Sequence, residues 1–353
     1  MAERVLTPRE LNRAVLARQL LLERAAIPLT RALERVAGLQ TQYAPSGYVG
    51  LFARLRGFER GALTRALERR QAVQATLMRS TIHLVSAADY WPFAAATAGG
   101  RREWFLRVAR HQVAGPHMEE AAAVLRRRLL GGPARASELR RLLEAAGIPA
   151  IAWAGLGHWL PMVRVPPSGT WEHRRADLYG LAEDWLGQAG AAEEEGLARL
   201  LSRYLGAFGP ATLREAAGWA GVPLSRLQPV AERMELRSLR DHEGGRLLDL
   251  PRAPLPQART PAPVRFLPTW DATLLAHARR SQVLPEAYRP LVFNTRTPHS
   301  VPTFLVDGAV AGTWREEGGR VLLTPFDTIP RSVRRELDDE ARALAAFHDG
   351  GRS

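Results

Sequence analysis

Apolar positions recur at helical spacing along most of the chain and give way to alternation in a few short stretches. Leu11, Val15 and Leu22 share one face of a helix over 11–23, a second helix follows Pro28 and Thr30 through Val36, and 59–70 reads as a third. Residues 73–78 and 81–85 then alternate as two short strands. Helices followed by a strand pair predict a winged helix over 1–88. Ser86, with Asp89 three residues on, caps the helix that opens a second unit over 89–190. There 118–130, 136–146 and 150–160 are helical, Gly131-Gly132-Pro133 is a turn, and 163–171 forms a hairpin wing. The third copy, 191–250, carries the clearest signals. Thr212 and Glu215 make a capping box, Gly221-Val222-Pro223 a tight turn, 224–234 a second helix, and 236–239 with 246–250 a strand pair around Asp241-His242-Glu243-Gly244-Gly245.

Pro251, Pro254, Pro256, Pro261 and Pro263 mark a linker. Beyond it, 264–350 is a β-rich unit closed by an amphipathic helix over 331–348. Asp307-Gly308 between apolar runs is a hairpin turn, which either reaches toward a ligand or is only a turn, and Gly318-Gly319 is a second. The expected class is α+β: three tandem winged-helix modules and a β-rich C-terminal unit.

Composition sharpens this. At 353 residues the chain exceeds what one core usually holds, about 250 residues, so several packed modules are expected. The absence of cysteine excludes disulfides, thiol nucleophiles, iron–sulfur clusters and thiolate zinc sites. All 49 cations are arginine, so a phosphate loop of the Walker kind and side-chain Schiff-base chemistry are excluded; the codon usage of a GC-rich genome accounts equally well for the choice of arginine. No apolar run reaches the roughly 18 residues that span a bilayer, and the first residues lack a secretory pattern, so a cytoplasmic protein with no membrane partner is expected. The net charge of +13 calls for a polyanionic partner, nucleic acid first. Residues 1–88 carry 14 Arg against 6 Glu and no Asp, +8 of that total.

Familiar catalytic signatures are missing. Gly-x-Ser-x-Gly, Gly-x-Gly-x-x-Gly after a strand and His-Glu-x-x-His do not occur, and the nine histidines show no metal spacing. No metal and no organic cofactor is expected. His83, within a wing strand, is either a satisfied structural histidine or a base or ligand. Gly38-Leu39-Gln40-Thr41-Gln42-Tyr43-Ala44-Pro45 stands out, because side chains two apart in extended backbone point the same way. Gln40 and Gln42 either address one small ligand or water together or bond loop backbone.

Three segments, Gly38-Leu39-Gln40-Thr41-Gln42, 76–85 and 266–277, resemble the AlkZ-type winged-helix DNA glycosylases, a likeness that runs over nearly the whole chain. The resemblance implies winged helices curved into a concave DNA-facing scaffold and removal of N7-alkylated purines, including bulky adducts and, in some members, interstrand crosslinks. It implies that Gln40 and Gln42 are the Gln-x-Gln catalytic pair of a monomeric enzyme acting on double-stranded DNA. Two departures stand out: Arg79-Ser80-Thr81 where Arg-Gly-Thr is usual, and Ala278-Arg279-Arg280 where Asp-Arg is commoner.

Two neutral amides suit such a lesion. Alkylation at N7 leaves the purine cationic and its bond to the sugar weak, so the leaving base needs no protonation. Amide oxygens could hold water beneath C1′ and set partial negative charge against the oxocarbenium. Without lysine, a strand-nicking Schiff base lacks a side-chain amine, which predicts a monofunctional enzyme. Arg54, Arg56, Arg60, Arg79 and His83 are the DNA-contact candidates, each arginine otherwise a solvated surface cation. Tyr43 and Tyr48 either stack on a base or pack under the loop. Trp270, Asp271 and His277 belong either to a structural corner or to the DNA-facing surface. The competing reading is a winged-helix transcriptional regulator without catalysis.

Overall fold

The computed structural model describes residues 3–187, 190–277, 281–294 and 299–350. Helices and strands alternate in groups, as an α+β chain should, but the sheets cross the predicted module boundaries. Six strands form one antiparallel sheet, in the order Leu39–Gln40, Ile82–Ser86, Ala72–Thr76, Met162–Arg164, Leu178–Leu181, Ala134–Arg135. The strand Met162–Arg164 therefore pairs with Ala72–Thr76 of the first unit rather than folding into a local hairpin over 163–171. Gly180 has little room for a side chain, with Val165 of the same unit 3.0 Å from where its Cβ would lie.

The third group matches its expected grammar. Helix Leu213–Ala220 carries the Thr212/Glu215 capping box, Gly221 adopts φ +71° at its end, and helix Leu224–Arg233 follows, then strands Arg237–Asp241 and Arg246–Asp249. A strand the sequence reading missed, Val5–Leu6, adds to this pair in parallel. Two residues are too short to register as a periodic signal.

The proline-rich segment is not a free linker. Helix Pro8–Arg18 presents Arg9, Arg13 and Arg18 to it, and these donate to the carbonyls of Ala258, Thr260 and Pro254. A stretch poor in N–H groups cannot pair as a strand, but its carbonyls can still accept from guanidinium. The C-terminal sheet runs Arg265–Leu267, Thr303–Val306, Ala309–Glu317, Arg320–Pro325. Its core is shared with the first unit. Phe266, Phe304, Trp314 and Phe347 share one apolar cluster with Leu33, Tyr48 and Leu84 of the first unit. Helix Arg331–Asp349 completes that cluster, with the Phe347 ring tilted against Phe52 and edge-on to Trp171. Nor does the Asp307-Gly308 turn reach outward: Arg9 and Arg13 both pair with Asp307, Asn12 donates to the Gly308 carbonyl, and a Cβ on Gly308 would collide with Leu16.

Candidate active site

Helix Leu29–Arg35 ends in two left-handed residues, Ala37 at φ 60° and Gly38 at φ 80°, which turn the chain back into the edge strand Leu39–Gln40. At Gly38 a Cβ would sit 3.0 Å from the Leu84 carbonyl oxygen, so glycine is needed both for φ and for space. The strand pairs Gln40 with His83, and Thr41 N–H donates to Ile82 O at 2.8 Å. There regular pairing stops. Gln42 replaces the next rung with its own side chain, its Oε1 accepting from Ile82 N–H at 2.9 Å. Helix Pro45–Phe52, absent from the sequence reading, follows at once.

Gln40 is buried and Gln42 exposed. The Gln40 Oε1 accepts from Arg79 Nη2 at 3.0 Å, while Nη1 of the same guanidinium donates to Trp219 O of the third unit. Arg79 and Ser80 sit in the tight turn between strands Ala72–Thr76 and Ile82–Ser86, with φ 53° and 57°. Ser80 occupies the position of the usual glycine and puts the added hydroxyl to use. Its Oγ accepts from Arg101 through Nε at 2.8 Å and through Nη2, and lies 2.7 Å from His158 Nε2. Arg101 belongs to helix Ala87–Val108, and its guanidinium also covers the half-exposed Trp104 ring at 4.3 Å. Gly221 closes the cluster: a Cβ there would lie 3.1 Å from Arg79 N and 3.2 Å from Arg101 Nη1. Residues from all three helical groups thus meet around Arg79 and Ser80, beside Gln40.

The electrostatics are one-sided. Among the described residues neither Arg79 nor Arg101 has a carboxylate in ion-pair range. Burial, then the nearby Arg101, brings Arg79 down to about 10, and burial lowers Arg101 too. Burial, then Arg79, takes His83 to about 3; burial, then Arg101 and Arg102, does the same to His158. Both imidazoles are neutral at neutral pH. This corner is therefore a neutral-amide loop beside two uncompensated guanidiniums, an arrangement that accepts an anion.

Other candidates lie elsewhere. Arg54 is fully buried and forms a two-pronged pair with Asp271, 2.9 Å on each arm, with further bonds to Gly50 O, Gln19 and Thr273; no phosphate can reach it. Asp271 is thereby structural, its carboxyl held below the usual range by Arg54 and the Thr273 hydrogen bonds against the opposing pull of burial. Arg60 donates to His348 O and covers Trp171 at 4.9 Å. Arg56 is exposed but paired with Glu23. Tyr48 is buried, its hydroxyl 3.0 Å from Thr64 Oγ1 and its ring edge-on to Trp171, so it supports the loop and meets no lesion. Tyr43 is 46% exposed. His83 Nδ1 lies 3.1 Å from Thr81 O, inside the sheet and away from any surface. Trp270 adopts φ 62° in the corner before Asp271, and buried His277 lies 3.3 Å from Glu215. Ala278-Arg279-Arg280 falls outside the described residues.

Eight of the 14 arginines in 1–88 meet carboxylates, five of them outside that segment at Asp307, Asp249, Glu340 and Asp271, so half of the local excess is offset by folding. Arg101, Ser80 and His158 were missed as site residues. Only the serine in place of glycine beside Arg79 hinted at them.

The pattern of the family described as DNA glycosylase AlkZ-like matches residues 33–347, and the chain belongs to that family. It is accordingly a DNA glycosylase, an enzyme that cuts between base and sugar, and the regulator alternative falls away. Among solved structures it is similar to Streptomyces sahachiroi DNA glycosylase AlkZ, with a TM-score of 0.82 at 19% identity over 98% of this chain and 97% of that one, a likeness of fold. No curated protein matches by sequence. Among the described residues no helix is long and apolar enough to cross a membrane, and no group of three or more histidine or acidic side chains is placed to hold a metal ion.

Proposed function

We propose that the chain hydrolyses the N-glycosidic bond of N7-alkylated purines in duplex DNA, with Gln40 and Gln42 as the catalytic pair. The observation that carries this reading is the clamp of Arg79 on the Gln40 amide oxygen inside a cluster without carboxylates. An amide oxygen has two lone pairs. Each glutamine spends one on the protein, Gln40 on Arg79 and Gln42 on Ile82 N–H, and keeps one for water or for the developing oxocarbenium. The bond from Arg79 fixes the amide plane before substrate arrives, which is positioning, while the free lone pair supplies the electrostatics. Arg79 and Arg101, held by neutral partners, are the cations a phosphate flanking the lesion would meet. Since the departing base is neutral once its bond breaks, two amides suffice and no general acid is called for. With no side-chain amine in the sequence, the enzyme leaves the abasic strand intact.

The test is an oligonucleotide duplex with one 7-methylguanine, followed by alkali to reveal abasic sites. Wild type releases the base, whereas Gln40→Ala and Gln42→Ala bind the duplex and fall by 100-fold or more in single-turnover rate. Equal rates in all three would remove the glutamines from the chemistry. Strand breaks without alkali would refute the monofunctional assignment.

A further inference from the structure

Beyond the Arg101 guanidinium, the helix that carries it leaves an apolar strip in solvent. In Ala87–Val108, the residues Arg101, Trp104 and Val108 stand three and four positions apart and so share one face over about 10 Å. Trp104 is 39% exposed and Val108 53%, whereas Phe105 and Ala109 are buried in the core of the second unit. Packing alone calls for polar side chains at 104 and 108, on the face turned away from that core. Single apolar side chains on a surface need no explanation, but these two are successive on one face and start at the Gln40 corner.

The link to that corner is a chain of contacts. Arg79 holds Gln40, Ser80 follows Arg79 in the turn, and Ser80 Oγ ties the Arg101 guanidinium, which lies 4.3 Å over the Trp104 ring. One part of the indole is thereby covered by a flat cation and held in place, and the rest meets water. Arg107 and Arg110, exposed near the far end of the strip, meet no carboxylate among the described residues. Glu103, the acid next to Trp104 in sequence, is taken by Arg226. The strip is thus apolar along its length and positive at both ends, which suits a flat hydrophobic group carried by a polyanion.

We propose that Trp104 sets the lesion preference of the site: the substituent on N7 of the purine stacks on the exposed part of the indole, so that flat aromatic substituents are favoured over saturated ones of equal size. Area burial rewards both kinds alike, whereas a π-face gains the additional stacking attraction of an aromatic pair. N7 opens onto the major groove, so its substituent stands clear of the base pair. Val108 extends the strip for a second ring. The inference rests on the glycosylase reading above, since the strip has a lesion to recognise only where Gln40 and Gln42 act on one.

The test compares duplexes bearing one 7-methyl-, 7-benzyl- or 7-(cyclohexylmethyl)guanine, for wild type, Trp104→Leu and Trp104→Phe. Release gives kcat/KM for each lesion, and affinity is read by fluorescence anisotropy with Gln42→Ala added, so that the lesion persists. Wild type should favour benzyl over cyclohexylmethyl by about fivefold or more in both measures. Trp104→Leu, which keeps apolar area but has no π-face, should abolish that preference, and Trp104→Phe should retain most of it. An unchanged benzyl-to-cyclohexylmethyl ratio in Trp104→Leu overturns the proposal, whether or not the variant melts lower or handles all three lesions less well, as a structural tryptophan would require. So does a wild type that treats the two rings alike. Failure of the glycosylase reading looks different: no lesion would be released, while a preference in affinity that Trp104→Leu erases would still support stacking on Trp104.

Discussion

Two sets of buried arginines do opposite work in this chain. Arg54 meets Asp271, and Arg18 meets Asp249, each pair wholly withdrawn from solvent with the guanidinium fork matched to both carboxylate oxygens. Among the described residues the polar partners of Arg79 and Arg101 are an amide oxygen, a backbone carbonyl and a hydroxyl. The first set joins distant parts of the chain, since Arg54 and Arg18 reach across 217 and 231 residues to their partners. The second leaves positive charge unspent beside Gln40. A half-buried cation without an anion is unfavourable for folding by itself and is retained where a ligand completes it, so the missing carboxylate, rather than the arginine, marks the site.

The largest effect should come from breaking the first set. Arg54→Ala strands Asp271 as an unpaired buried carboxylate, which costs about 3–5 kcal/mol, and should lower the melting temperature steeply. Arg79→Met removes a cation that has no partner ion, so it should melt within a few degrees of wild type. Equal destabilisation of both variants, measured by calorimetry, would erase the distinction.

That distinction was only partly legible in the sequence. The loop carrying Gln40 and Gln42 was readable because glycine, alternation and the family likeness coincide over five residues. The third unit was readable because Thr212, Glu215 and Gly221 are local capping signals whose geometry is set by near neighbours. By contrast, Arg54 looked like a phosphate contact because its partner lies far along the chain, and nothing around residue 54 encodes Asp271. Arg101 and His158 were invisible for the same reason: they reach Ser80 only through tertiary packing. The shared six-stranded sheet was also hidden, because alternation identifies a strand but not its neighbour.

Acidification probes the unpaired side selectively. His83 and His158 both titrate near 3 when folded, against about 6.5 in the unfolded chain. Between those values the unfolded state binds protons that the folded state refuses, so stability is complete above about pH 6.5 and falls as pH drops toward 3. At pH 5.5 the two together should cost about 3 kcal/mol. His158→Gln should remove roughly half of this loss, read from urea midpoints at pH 7.5 and 5.5. Base release, which uses neither imidazole, should stay flat between pH 6 and 8.

Binding to DNA sharpens the contrast at a smaller scale. Arg79→Met should weaken duplex binding about tenfold at low salt and reduce the slope of log affinity against log salt by about 1, the loss of one phosphate contact. Arg56→Met, whose arginine already has Glu23, should change that slope little. Equal slopes for the two variants would show that free and paired arginines contribute alike.

Ser80→Gly should give the smallest effect and the most instructive one. Glycine relieves the left-handed φ of 57° at this residue, a gain of about 1 kcal/mol, but it deprives Arg101 of its acceptor and His158 of its neighbour, which costs about the same. Net stability should therefore stay within about 1 kcal/mol of wild type. Arg101, no longer tied, can swing out into solvent, so KM for a 7-methylguanine duplex should rise several-fold while kcat, set by Gln40 and Gln42, changes little. A fall in kcat without a rise in KM would mean that Ser80 acts on the glutamines through Arg79, and that the two guanidiniums act as one unit.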